Sequence, residues 1–282
     1  MRLHLLRVGC VFLAATVLAA QEPAFDVASI RPSQGAMPGE IRPMPNGRFT
    51  TTNATVRSLI LRAYGLVDSQ LIGAPPWLSV ERYDIDARAA AAPADGPESL
   101  LPMVRTLLVD RFKLETHPDT RVLPAYALTF ARRDRELGPQ LRPTQADCTR
   151  ATALTQDEVR AAVRDGWPPC GMVYFVRFDT AGANGNLVKM RVRRSGITIP
   201  ALATALQPTV DRPVIDQTGL DGRFDVEYSF TPQPPAAGAD SSGPDAPTLF
   251  IALEEQLGLK LESRRMTVPV LAIDSIDRPT EN

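Results

Sequence analysis

An α+β fold of two tandem, internally repeated units is what this sequence predicts, each unit running strand, helix, strand, strand, helix, strand, strand. The string RYDIDA (Arg82 to Ala87) returns as RFDVEY (Arg223 to Tyr228), 141 residues further on. Three more pairs keep the same order along the chain. TVRSL (Thr55 to Leu59) matches TIPAL (Thr198 to Leu202), FKLE (Phe112 to Glu115) matches LKLE (Leu259 to Glu262), and LPAYAL (Leu123 to Leu128) matches VPVLAI (Val268 to Ile273). Spacings that drift by a few residues are what duplication followed by loop insertion produces. The proline-rich insertions agree. Residues 89–98 and 231–247 each follow the Arg-aromatic-Asp string, and both are too poor in large apolar side chains to pack.

The chain opens MRLHLLRVGC VFLAATVLAA QEPAF. Arg2 and Arg7 precede an apolar run from Val8 to Leu18 that is too short to span a bilayer, and Ala19 and Ala20 then lead into a polar turn. This pattern predicts a Sec-type signal peptide over residues 1–20. Cys10 sits before most of the apolar run, where a lipid-modified cysteine does not sit. The first unit is then expected over 21–135, a connector over 136–171 and the second unit over 172–282.

Within the first unit, Val56, Leu59, Ile60, Ala63 and Tyr64 form one apolar helix face, with Gly65 placed to end it. Tyr83, Ile85 and Ala87 alternate with Arg82, Asp84 and Asp86, the signature of a half-buried strand. Leu100, Val104, Leu107 and Leu108 make a second helix, where Pro102 is tolerable in the first turn. KLETHPDT is expected to turn back as a hairpin carrying His117. The second unit repeats the first helix at Ile199, Leu202, Ala203 and Leu206. Its second helix carries Phe250, Leu253 and Leu257 and is closed by Gly258.

Composition narrows the function classes. The formal net charge is −1, and cleavage at residue 20 would remove two arginines and no acid. Such a balance argues against a nucleic-acid partner, which needs a clustered basic face. The arginine-rich usage is read as bulk composition. Cys148 and Cys170 bracket the connector, and an exported pair of cysteines predicts a disulfide worth about 3 kcal/mol in the chain-entropy model. No Cys-x-x-Cys and no histidine cluster accompany them, so no metal and no cofactor are expected. His117 is the one histidine beyond the leader, and there is no Gly-x-Ser-x-Gly elbow. VIDQTG and FDTAG each carry one residue too many for an aspartic-protease turn, and GANGN lacks the lysine of a phosphate loop.

The candidate ligand-binding residues are Trp77, in the proline-stiffened loop GAPPWL, and Arg82 and Arg223, which start the two repeated strands. If the units pack about a pseudo-twofold axis, these loops flank one groove, with the arginines facing an anionic group.

The strings FDVASIRPS, GRFTTTNATVRSLILRAYGL, GAPPWLSVERYDIDA, RPVIDQTGLDGRFDVEYSFTP and LFIALEEQLGLKLE span nearly all of the chain beyond residue 20. In combination they resemble the soil-associated proteins of acidobacteria-type bacteria, a family built on a domain of unknown function. The resemblance implies an exported protein. It implies no activity, cofactor or catalytic residue, and the metal motif of the membrane peptidases that carry related domains is absent.

The expectation is an exported, periplasmic or extracellular, non-catalytic binding or sensing module. Its ligand would be a small molecule, a glycan or a protein, with no transmembrane segment left after cleavage. Two alternatives are an envelope hydrolase using Asp84 with Asp225, and a structural protein docking through a sheet edge.

Overall fold

The computed structural model describes residues 22–35, 39–44, 46–91, 97–146, 148, 161, 166–170, 173–182, 185–232 and 247–279. The expected leader, half of the connector, half of the first proline-rich insertion and most of the second lie outside the described residues. The fold is mixed α+β, with three four-stranded sheets among the described residues.

The first sheet contains β1 (Val27–Pro32), β2 (Glu40–Pro43), β3 (Arg48–Thr55) and β5 (Arg82–Arg88), in the order β1-β5-β3-β2. All its pairings are antiparallel. A second such sheet contains β7 (Leu141–Pro143), β8 (Val173–Gly182), β9 (Gly185–Ile197) and β11 (Phe224–Phe230), in the order β7-β11-β9-β8. It too is antiparallel throughout. In β5 the burial alternates strictly, with Tyr83, Ile85 and Ala87 inward, as the sequence pattern requires. Phe224, Val226, Tyr228 and Phe230 do the same in β11.

The central sheet has a different construction. Strands β6 (Glu115–Phe130) and β12 (Leu259–Ser275) pair antiparallel along almost their whole length. Two short strands, β4 (Leu71–Ile72) and β10 (Val214–Asp216), lie parallel on the outside. β4 pairs with β12, and β10 with β6, so the order is β10-β6-β12-β4. Each short strand therefore lies beside the long strand that is distant in sequence.

These long strands correct one expectation. The strand pair predicted at the end of each unit, with His117 at a hairpin turn, is in each case one continuous strand. His117 lies inside β6 opposite Ala272, and its Nδ1 sits 2.8 Å from Asp274 Oδ1. The prolines that suggested a turn are accommodated for a topological reason. β10 reaches only Tyr126 to Leu128, so Pro118 and Pro124 lie where β6 has no strand on its outer side among the described residues. A missing amide there removes no ladder hydrogen bond.

Helix α1 (Val56–Tyr64) is capped by the Thr55 side chain, which accepts from the Ser58 amide, and ends at Gly65 with φ 66°. A helix we number α4 (Ile199–Val210) repeats the device with Thr198 and the Ala201 amide. Between them lie α2 (Trp77–Val80) and α3 (Leu101–Phe112). The short α5 (Leu249–Ala252) runs on into a π-helical turn, Leu253–Leu257, closed by Gly258.

Two cores result. One gathers Phe49, Ile60, Leu78, Leu108 and Phe112 beside the first sheet. The other gathers Leu128, Leu202, Leu206, Val226 and Leu253 beside the second. α1 and α4 meet where Gln207 Nε2 donates to the Gly65 carbonyl at 3.0 Å.

Candidate functional site

The three predicted ligand residues lie on different elements, Trp77 on α2, Arg82 on β5 and Arg223 just before β11. Arg82 starts β5, and its guanidinium donates to the Asn53 carbonyl at 2.9 Å. Two residues along, the Asp84 carboxylate accepts from the Asn53 amide at 2.7 Å. Asn53 has φ 53°, a left-handed conformation inside a register shift of β3. Arg223 and Asp225 do the same to Gly196 in β9, with φ 65°. The guanidinium donates to the Gly196 carbonyl at 2.7 Å, and the carboxylate accepts from its amide at 2.9 Å.

Arg-x-Asp is thus a clamp on a backbone irregularity. It satisfies the donor and the acceptor that the bulge takes out of the ladder. The second acid of each string is also engaged. Arg48 holds Asp86 with hydrogen bonds of 2.9 and 2.6 Å, and Arg193 holds Glu227 with 2.9 and 3.2 Å. Asp84 and Asp225 lie in separate sheets, each bound to a backbone amide.

Trp77 opens α2 at the surface of the first core, partly buried. The Arg278 guanidinium carbon sits 5.0 Å from its ring centroid, and Arg278 makes a forked pair with Glu81 at 2.6 and 2.8 Å. The matching loop at Thr218 to Asp221 belongs to the other core through Leu220. There Asp216 Oδ1 accepts from the Thr218 amide and hydroxyl, both at 2.8 Å.

Arg278 holds the Glu81 carboxyl below the ordinary carboxylate range, outweighing a smaller opposite effect of burial. A depressed folded value stabilises the pair above the unfolded pKa and loses that stabilisation as pH falls through it. Trp77 emission in a Trp167→Phe background should therefore change below about pH 4, and Arg278→Met should abolish the transition. A pH-independent Trp77 signal between pH 6 and 3 would contradict the coupling.

A cluster of cationic side chains lies elsewhere, on the seam of the long strands. The turn after β6 carries Arg132, Arg133 and Arg135, and the start of β12 carries Lys260 and Arg264. Together with Thr129, Phe130, Ala131 and Glu262 they line a concavity of about 300 Å³. The pairing of Lys260 with Thr129 and Arg264 with Ala125 brings the β12 cations next to the turn. Lys260 and Arg264 both bind Glu262, the former at 2.7 Å, and hold its carboxyl below the usual range. Arg132 pairs with Glu136 at 3.1 Å, and Arg135 lies over the Phe130 ring at 5.2 Å. Arg133 has no such partner among the described residues.

Sequence reasoning missed this cluster by assigning the arginines to bulk composition. The signal was present: Lys260, Glu262 and Arg264 recur every second residue, and ARRDRE follows the strand that pairs with them. Only the antiparallel register joins the two strings. Among the described residues no group of acids, histidines or cysteines has the arrangement of a metal site.

The Cys148 and Cys170 sulfurs stand at bonding distance, with Cα atoms 5.5 Å apart. No helix among the described residues is long and apolar enough to cross a membrane. No curated protein and no solved structure matches the chain. Residues 57–276 match the family described as protein of unknown function DUF3738, from α1 to the end of the central sheet, and the chain belongs to that family.

Proposed function

We propose that the chain is an exported, non-catalytic binding module of the cell envelope whose ligand is a multiply charged anion. One observation carries the ligand class. Five cationic side chains and a single acid line one concavity in a chain whose formal net charge is only −1. A field of one sign inside a recess raises the local concentration of oppositely charged ligands. The bonding distance between Cys148 and Cys170 supports export, since such pairs persist in oxidising compartments.

The same proposal takes the chain as a duplicated unit of the soil-associated kind, with repeats over 21–135 and 172–282. Its supports are the twin Arg-x-Asp clamps, the crossed pairing of the short strands and the shared strand order of the two antiparallel sheets, in which β7 of the second is contributed by the expected connector. A groove flanked by Trp77, Arg82 and Arg223 has a weaker basis, because both arginines already donate to backbone carbonyls.

The test is calorimetric titration with inorganic tripolyphosphate and with a uronic-acid tetrasaccharide, at low and at physiological salt. We expect binding that weakens with salt, as exposed charge pairs do. The double variant Arg133→Ala/Arg264→Ala should weaken it about tenfold, a change of roughly 1.4 kcal/mol. Equal binding of a neutral tetrasaccharide, or unchanged affinity in the folded double variant, would refute the assignment.

A further inference from the structure

Arg194 stands apart from the other arginines of β9. Arg193, beside it, has Glu227 and the Gly166 carbonyl. Arg194 faces the opposite side of the sheet. Its register partners are Val226 on β11 and Val173 on β8, so it shares a face with the core-lining Val192, Val226 and Tyr228. Its Nε is buried and makes no hydrogen bond among the described residues. The Phe175 ring centroid is 5.9 Å from its guanidinium carbon. A guanidinium carries five N–H donors, and a buried cation is ordinarily paired.

Among the described residues the surroundings do not supply that pairing. Glu98 is the acid within electrostatic reach, and its carboxylate is already bound to Arg62. Both of those side chains are about 40 % exposed, so they sit at the rim of the Arg194 environment. Tyr228 is buried on the same face, its ring stacked on Phe230 at 6.0 Å. Burial pushes its hydroxyl up to about 12, so at neutral pH it remains a phenol able to donate. No hydrogen-bond partner engages that hydroxyl among the described residues. Phe175, next to Val192 on the outermost strand, is 54 % exposed.

These are the parts of a receptor for one planar anion with an apolar body. The fork of a guanidinium matches a carboxylate and accepts it bidentately. A phenol on the same sheet face adds a further donor. The local balance of Arg194, Arg62 and Glu98 leaves one positive charge, which a monoanion neutralises and a multiply charged phosphate over-fills. The exposed ring of Phe175 offers an apolar surface to whatever the carboxylate is attached to. We propose that Arg194 and Tyr228, with Phe175 beside them, form a carboxylate-binding site for a ligand carrying one carboxylate and an aromatic or aliphatic body. It is separate from the cationic concavity on the long strands and stands on different residues.

The experiment uses the whole exported chain with its disulfide intact, and the probes phenylacetate and octanoate beside their neutral amides. Binding is read by calorimetry and by saturation-transfer NMR. We expect both carboxylates to bind and both amides to fail. Arg194→Leu should reduce carboxylate affinity at least about tenfold, and Tyr228→Phe should reduce it by a smaller factor. Arg133→Ala/Arg264→Ala, which tests the concavity, should leave these affinities unchanged, so the two sites can fail independently. Arg194→Lys keeps the charge and loses the fork, and it serves if the leucine variant does not fold; a clear loss of affinity is expected there too. No binding of either carboxylate, equal binding of the amides, or full affinity in a folded Arg194 variant would overturn the proposal.

Discussion

Cut between residues 146 and 166, the chain is expected to give two fragments that are each unfolded alone and that regain structure when mixed. The central sheet gives the reason. A fragment ending at 146 keeps β6 but loses β12 and β10, leaving 16 residues of strand with no partner on either side. It also keeps β4 without the β12 residues Leu271 and Ala272 that it pairs with. The first core loses Leu271, Ile273 and Ile276, which pack against it from the distant end of the chain. The complementary fragment loses Leu128, a fully buried member of the second core. A long unpaired strand exposes its whole row of amides and carbonyls and aggregates in preference to standing alone. Far-UV circular dichroism and urea unfolding would read this directly. Two-state unfolding of either fragment alone, with a slope appropriate to its size, would show that the crossing strands are dispensable.

That interlocking was not legible in the sequence, although its components were. The apolar stripes of α1 and α4 and the alternation in β5 and β11 follow from local periodicity, and they appear where expected. Local pattern says which residues face inward. It does not say which long strand a short strand will join, and β4 and β10 are two and three residues long. His117 misled for a related reason. HPDT is turn chemistry locally, and the partner that keeps it extended lies more than 150 residues away, at Asp274.

The site was legible only in part. Arg82 and Arg223 stood out because they recur, but recurrence marked a structural need, the clamping of two bulges. Arg194 has no counterpart string. Its interest comes from facing a core among apolar neighbours, which is invisible until strand register is known. The cationic concavity likewise needs the pairing of β6 with β12.

The twin clamps also allow a controlled comparison, because their centres differ. Asn53 and Gly196 hold the same left-handed backbone with the same pair of partners. Asn is among the few residues that enter this region readily, so Asn53→Ala should cost about 1 kcal/mol, mostly backbone strain. Gly196→Ala should cost more. Besides the strain, a Cβ at 196 would collide with both Cys148 Sγ and Cys170 Sγ, since the disulfide lies directly against this glycine. β9 cannot easily move away, because Arg223 holds the carbonyl and Asp225 holds the amide. We expect a loss of about 3 kcal/mol or more, in the range of overpacking with backbone strain. The bridge is the source of the excess, so the excess should vanish when the bridge does. In a Cys148→Ala/Cys170→Ala background, Gly196→Ala should fall to the same ~1 kcal/mol as Asn53→Ala, because only the dihedral penalty remains. Urea midpoints for the parent and the Gly196→Ala variant, each with and without the bridge, and for Asn53→Ala, at constant slope, give these differences. An equal penalty with and without the bridge would mean that the disulfide does not rest on Gly196, and that the clamp alone fixes this turn of β9.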